Sequence, residues 1–260
     1  MTFFASRAVA VEIMGFSVHW YGVMYMLAFL LAFFLLPRLE RNRGLLLSDD
    51  DRSAAITSAI FGVIVGGRIG YVLFYAPSYF LNNPAEVFAV WHGGMSSHGG
   101  FIGVAVALWL TLRQRRIPVL PFLDVIAVPV ALGLMLGRLG NFINQELYGT
   151  VTTLPWGIAI PGVAGLRHPT QIYAMIKDAS IAIVCLLHLT MRPQRRSGET
   201  FSLFLMMYGV LRFFVEYLRD QQVAPIVIGT LSLSRGQALT IPIFLVGLML
   251  WLWVHRREFA

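Results

Sequence analysis

Seven stretches of this chain are apolar over close to the ~20 residues that a helix needs to cross the hydrocarbon core of a bilayer. They run approximately from Trp20 to Leu36, Ala54 to Tyr75, His98 to Leu112, Pro121 to Leu139, Gln171 to Met191, Phe201 to Leu218 and Gln237 to Val254. In hydrocarbon every backbone N–H and C=O must be satisfied within the chain, so each stretch is predicted to be a helix. Charged residues are only 13% of the sequence and hydrophobic ones 57%, whereas a soluble domain carries about a quarter charged. With a mean hydropathy of +0.71, a soluble globular fold is excluded. The expectation is an all-α, polytopic integral membrane protein of about seven transmembrane helices, forming one domain over residues 1–260.

The net charge of +7 would suggest nucleic acid in a soluble chain, but here the basic residues serve as topology signals. Arg38, Arg41 and Arg43 follow the first run, Arg113, Arg115 and Arg116 the third, Arg192, Arg195 and Arg196 the fifth, and Arg256 and Arg257 the seventh. The connection from Ala76 to Trp91 has no Lys or Arg. The positive-inside rule then places that connection and the N-terminus outside and the C-terminus in the cytoplasm. Met1 to His19 lacks a basic n-region and a cleavage pattern, so no removable signal is expected, and its mixed polarity suggests an interfacial segment. The long connection is Asn144 to Thr170, on the outer side, where Pro155, Gly157, Pro161, Gly162 and Gly165 favour turns. Cys185, the only cysteine, lies in an apolar run and is read as a buried structural thiol. Gly62, Gly66 and Gly70, and likewise Gly133 and Gly137, recur every four residues and predict close helix packing.

Against this apolar background Tyr208, Arg212, Glu216 and Arg219 fall along one face of the sixth run. An Arg at mid-bilayer costs roughly 2.5 to 3.5 kcal/mol on insertion scales, so that face belongs against protein or a watery cleft. The predicted topology brings Tyr21, Tyr25, Arg68, Tyr71, His98, Arg138, Asn141, Glu146, Arg212 and Glu216 to the outer headgroup level. Arg138, Asn141 and Gln145 share a helix face; Arg138 either binds an anion such as phosphate or snorkels to the interface. Arg212 and Glu216 are an i,i+4 pair that neutralises itself unless, with Tyr208, it also meets a ligand. Arg68 is either a ligand contact or a structural anchor. Three guanidiniums, which Glu146 and Glu216 cannot all balance, point to an anionic ligand, and phosphate fits them bidentately. His98, flanked by glycines, is either a hydrogen-bonded structural residue or a group near reacting atoms whose ordinary pKa of ~6.5 suits proton transfer. His168 is read as a cap of the fifth run, His19 as interfacial, and His188 and His255 as structural. No HExxH, paired-Cys, Walker or Gly-x-Ser-x-Gly motif occurs, so no metal site and no cofactor are predicted.

Four ordered blocks carry a resemblance. They are His19-Trp20-Tyr21-Gly22-Val23-Met24-Tyr25, Gly66-Gly67-Arg68-Ile69-Gly70-Tyr71, Gly93-Gly94-Met95-Ser96-Ser97-His98-Gly99-Gly100 and Gly137-Arg138-Leu139-Gly140-Asn141-Phe142-Ile143-Asn144. With Arg167-His168-Pro169-Thr170-Gln171-Ile172-Tyr173, Tyr208-Gly209 together with Arg212 and Glu216, and Gly236-Gln237, they make the chain resemble the prolipoprotein diacylglyceryl transferase family along essentially its whole length. The resemblance implies a multi-pass enzyme of the bacterial inner membrane. Its substrates would be phosphatidylglycerol and the lipobox cysteine of a prolipoprotein held by its signal peptide; it would form a thioether and release glycerol phosphate. The resemblance also implies that Arg138 and Arg212 hold the lipid phosphate and that His98, Tyr21, Asn141, Glu146 and Glu216 are the other site residues; Tyr208 and Arg68 join the substrate-binding set from the reading of the apolar runs. Two departures stand out: Ala174 where the family usually has Glu, and Asp220-Gln221-Gln222 where Pro-Asp is more usual.

The attacking thiol belongs to the substrate, and with an ordinary pKa of ~8.5 it must be deprotonated. Either His98 takes the proton, or the Arg138 and Arg212 charges lower the thiol pKa. Two rival readings are a transporter of an anionic lipid or solute, which needs midplane polar groups and access from both sides, and a scaffolding protein, which leaves the arginines unexplained.

Overall fold

The structure, a computed structural model, describes residues 9–13, 16–191, 196–221, 224–228 and 231–256. Met1–Ala8, Arg192, Arg195, Gln222 and Arg257, which entered the sequence reading, lie outside them. The chain forms two compact units: residues 1–44 with 123–260, and residues 45–122.

The smaller unit is built on α2 (Asp49–Phe74) and α4 (Ser97–Gln114), with the short α3 (Pro77–Asn82) and two 3-10 turns between them. Ser48 caps α2 by accepting from the Asp51 N–H at 3.1 Å, and Asp49, Asp50 and Asp51 fill the first turn, where the helix dipole favours negative charge. A Cβ on Gly62 would sit 2.7 Å from the Gly103 carbonyl oxygen, and one on Gly103 2.7 Å from Gly66 Cα. The two helices therefore touch backbone to backbone, with Gly99 and Gly103 supplying the half of the glycine contact that the spacing in α2 alone did not reveal.

In the larger unit are α1 (Trp20–Arg43), α5 (Val119–Asn144, whose first turn belongs to the smaller unit), α6 (Thr170–Met191), α7 (Glu199–Tyr217) and α8 (Arg235–Arg256). Met24, Leu136 and Ile143 form a buried apolar cluster joining α1 to α5, with Trp20, Val23, Ala28 and Leu139 packed around it. Asp124, fully buried, accepts from Arg43 Nε at 3.0 Å and from the N–H groups of Gly198 and Phe201 at 2.8 and 3.0 Å. It thereby satisfies the open donors at the start of α7.

Six of the helices, α1, α2, α5, α6, α7 and α8, are long and apolar enough to cross a membrane. The protein is a multi-pass membrane protein. α4, the expected third span, is 18 residues long and holds Ser97, His98, Arg113 and Gln114 at its ends, which dilute its apolar centre. All-α was too narrow: the described residues include three short antiparallel pairs, β1 (Val9–Ile13) with β2 (Phe16–His19), β3 (Ile158–Ala159) with β4 (Leu166–Arg167), and β5 (Ile226–Ile228) with β6 (Leu231–Leu233). Val9, Val11, Val18, Ile226 and Val227 are β-branched residues suited to such ribbons, while the count of long apolar runs is silent about connections. Every expected span lies within a helix or overlaps it to within a residue, and most helices run past the apolar stretch into charged residues, because helix formation does not stop where hydrocarbon would.

Candidate functional site

The last turn of α5 sets up the first half of the site. Past Asn144 the chain enters the left-handed region at Gln145, with φ 56°. The Gln145 N–H donates to Phe142 O at 3.1 Å and the Glu146 N–H to Asn141 O at 3.1 Å, the paired pattern of a Schellman cap. A residue other than Gly or Asn at that position is strained, and such strain gathers where a side chain must be aimed. Here it folds Glu146 back over the helix end. Tyr21, in the first turn of α1, donates to Glu146 Oε1 at 2.5 Å and accepts from Asn141 Nδ2. Asn144 Nδ2 donates to the same Oε1 at 3.1 Å, and Gln171 Nε2, in the first turn of α6, donates to the Glu146 carbonyl at 2.8 Å. Arg138 joins through Asn141: its Nη1 donates to Asn141 Oδ1 at 3.2 Å. That amide oxygen is the one described polar partner of a half-buried guanidinium with five N–H donors, and among the described residues no carboxylate is paired with it.

The second half is the stripe on α7. Arg212, 9% exposed, places Nη2 2.5 Å from Glu216 Oε2, a close ion pair without hydrogen-bond alignment. Arg219 Nη1 approaches Glu216 Oε1 at 3.4 Å and Gln221 Nε2 donates to that oxygen at 3.2 Å. A Cβ on Gly236, at the start of α8, would lie 2.5 Å from Glu216 Cδ, so the carboxylate fits only because that residue is glycine. Tyr208 stacks on Phe204 at 6.1 Å between ring centroids.

The two halves belong to one electrostatic group. Arg138 and Arg212 act on one another through their charges, and each acts on Lys177 and Asp178 of α6. Gathered in this way are four cations, Arg138, Lys177, Arg212 and Arg219, and three carboxylates, Glu146, Asp178 and Glu216. One positive charge is left over, and of these four cations Arg138 is the one with no carboxylate partner among the described residues.

Lys177 and Asp178 were missed, although a charged pair inside the fifth apolar run was visible in the sequence. They form an ion pair, and the Lys177 ammonium lies 4.3 Å from the Tyr208 ring centroid. Gln171 and Gln221 were also passed over as site-lining groups, and an amide side chain at a helix end carries no sequence signal of such a role. The two departures are accommodated: Ala174 is buried, Asp220 Oδ2 receives Arg167 Nη1 at 3.1 Å, and Gln221 binds Glu216. His168 faces Tyr173, its Nδ1 3.2 Å from the phenol oxygen. Cys185 is fully buried.

Two expected site residues belong to the smaller unit. His98 is exposed in the first turn of α4, and none of the described hydrogen bonds involves its ring. Arg68 is committed elsewhere. Its Nε donates to Val87 O at 2.9 Å, its Nη1 to Gly93 O at 2.6 Å and Gly94 O at 3.2 Å, and its Nη2 to Ala89 O at 3.1 Å and to Glu86 O. The guanidinium also lies 5.0 Å from the Phe80 ring centroid. Its five N–H donors are matched by five carbonyls, so Arg68 anchors the 84–94 segment and the expectation that it binds substrate is withdrawn. Among the described residues no cluster of His, Cys, Asp and Glu suits a metal ion.

The sequence profile of the prolipoprotein diacylglyceryl transferases matches residues 8–253. The chain belongs to this family. It is 46% identical, over 244 residues covering 92% of each chain, to the phosphatidylglycerol–prolipoprotein diacylglyceryl transferase of Geobacter sulfurreducens. To the protein of the same name from Bordetella avium it is 40% identical over 255 residues, 96% of this chain and 95% of that one. To that of Wolbachia pipientis it is 40% identical over 242 residues, 91% and 90% of the two chains. In this diacylglyceryl transferase family member Tyr21 and Asn141 lie in the blocks on which the resemblance was read, and Glu146, which closes their network, lies two residues beyond the fourth block.

Proposed function

We propose that the chain transfers the diacylglyceryl group of phosphatidylglycerol to the lipobox cysteine thiol of a prolipoprotein. It does so as one catalytic domain in the bacterial inner membrane, with seven spans, the N-terminus outside and the C-terminus in the cytoplasm. The observation that carries the reading is Arg138, a half-buried cation whose charge acts on Arg212 and whose single described partner is an amide oxygen, in a group with one unbalanced positive charge. A phosphodiester carries one negative charge and takes guanidinium bidentately.

The chemistry follows from that charge. The thiolate sulfur attacks the glyceryl carbon, the S–C bond forms, and the C–O bond to phosphate breaks with its electron pair leaving on the phosphate oxygen. The diester monoanion becomes a monoester dianion, so negative charge grows where Arg138 and Arg212 are aimed. Preorganised cations at that position stabilise the transition state more than the ground state. Glu216 and the Tyr21–Asn141–Glu146 network hold the two guanidiniums in place, and Tyr208 borders Arg212. The thiol proton leaves either to His98 or, with the thiol acidified by the guanidinium field, to water. His98→Asn separates these routes: loss of the wild-type pH profile assigns the proton to His98, and an unchanged profile assigns it to the field.

The test is incubation of the purified protein with phosphatidylglycerol vesicles and a lipobox peptide, followed by mass analysis. A diacylglyceryl adduct is expected. Absence of the adduct together with uptake of an anion into vesicles would establish transport instead.

A further inference from the structure

Lys177 and Asp178 sit about 10 Å along α6 from its first residue, in the apolar run. Lys177 is 5% and Asp178 1% exposed. Removing two charges from water costs several kcal/mol each, and replacing such a pair with apolar groups of similar volume is often neutral or stabilising. Fold stability therefore gives little reason for the pair. Its placement does. The ammonium, paired with Asp178, also lies 4.3 Å from the ring centroid of Tyr208, which shares the α7 stripe with Arg212, and the charges of both Arg138 and Arg212 act on it. An ammonium has three donors, and Asp178 takes the one described hydrogen bond of Lys177. Gathering a third cation beside two guanidiniums is repulsive in a low-dielectric interior unless an anion comes among them.

We propose that Lys177 is a third anion-binding residue of this site, held on the Tyr208 ring by Asp178 and presented to the same phosphate as Arg138 and Arg212. The assignment rests on the reading of those two arginines as phosphate ligands and extends it to α6. Tyr208 acts as the platform that keeps the ammonium near the stripe, since a cation over an aromatic face is attracted without being discharged. Asp178 is the counter-charge that makes the lysine tolerable when no lipid is bound.

Three variants separate a contact from a neutralising pair. Lys177→Met removes the ammonium and leaves Asp178 unbalanced, so it alters both the contact and the local charge. Lys177→Met with Asp178→Asn removes the ammonium but keeps the net charge of the group. Asp178→Asn keeps the ammonium and releases it from its partner. Phosphatidylglycerol is titrated against each detergent-solubilised variant, with phosphatidylcholine of the same acyl chains as the uncharged-headgroup control. The double variant is expected to bind phosphatidylglycerol about tenfold more weakly, with phosphatidylcholine unchanged; Asp178→Asn is expected to bind phosphatidylglycerol as tightly as wild type or tighter. A double variant with wild-type affinity makes Lys177 a neutraliser of Asp178 and overturns the proposal. Should the double variant fail to fold, as read by its thermal melt, Asp178→Asn decides, because weakened phosphatidylglycerol binding there overturns the proposal equally. These titrations do not depend on turnover: a wild type that binds phosphatidylglycerol selectively yet yields no peptide adduct defeats the proposed transfer and leaves Lys177 testable.

Discussion

A guanidinium is informative in an apolar sequence because it cannot be discharged and so must be answered by something. Arg68, Arg138 and Arg212 looked alike in the sequence, and the structure answers them differently. Arg68 is met by five carbonyls, Arg212 by the Glu216 carboxylate, and Arg138 by one amide oxygen. Arg138→Ala should therefore cut kcat/KM by at least about a hundredfold while leaving the melting temperature near wild type, since few contacts are lost. Arg212→Ala should lose activity as severely but also lower the melting temperature, because Glu216 is left buried with a weaker partner in Arg219. Adduct formation and thermal melts on the same preparations check both. Arg68→Met should act through the fold: up to five carbonyls lose their donor at about 1–3 kcal/mol each when unmet, so the 84–94 segment should become sensitive to protease. Full protease resistance in that variant would show that the anchor is dispensable. The sequence could place these arginines in apolar runs but could not see which carbonyls fold back onto Arg68. It did display Lys177 and Asp178, whose charge in a span was as anomalous as that of Arg212.

Among the elements, the helices were legible because length and apolarity are properties of one segment, whereas their packing partners are properties of two. The four-residue glycine spacing in α2 announced a close contact, and Gly62, Gly66 and Gly70 make it, against Gly99 and Gly103 of α4. The same spacing in α5 did not mean the same thing. A Cβ on Gly137 would meet nothing within 4 Å, and one on Gly133 would rest 3.5 Å from Ala28 Cβ, an ordinary contact. Spacing shows that a smooth face exists, not that a backbone lies against it. Gly103→Val should consequently wreck the α2–α4 pair and yield little folded protein, while Gly137→Ala should be neutral or stabilise by up to ~1 kcal/mol through helix propensity. Expression and melting temperature of the two variants, purified in parallel, measure the contrast. The connections were the least legible. The Schellman turn at Gln145 uses a residue that does not advertise the left-handed region, and the three small ribbons depend on pairing between segments whose individual patterns are weak.

For the whole molecule the open quantity is how many times the chain crosses the membrane, because its parity fixes whether the two termini share a side. Six helices pass on length and apolarity, and α4 is the one in dispute. Within its own unit, α4 lies antiparallel to α2: Gly99 meets Gly70 near one end, Gly103 meets Gly62 and Gly66 farther along, and Arg115 pairs with Asp51 at 2.9 Å at the other. Eighteen residues of helix are about 27 Å long, close to the ~30 Å of the hydrocarbon core. We propose on this ground that α4 crosses the membrane alongside α2. The charges agree, since Arg113 in the last turn of α4 and Arg115 and Arg116 just past it close that helix just as Arg38, Arg41 and Arg43 close α1. The polar residues at the start of α4 lower its hydropathy without shortening it. Single cysteines at Asn82 and Arg115 test this in whole cells, with the buried Cys185 as a silent background. A membrane-impermeant maleimide should label Asn82→Cys in intact cells and Arg115→Cys only after permeabilisation. Equal labelling of both from outside would mean that α4 does not cross, reducing the count to six and returning the two termini to one side.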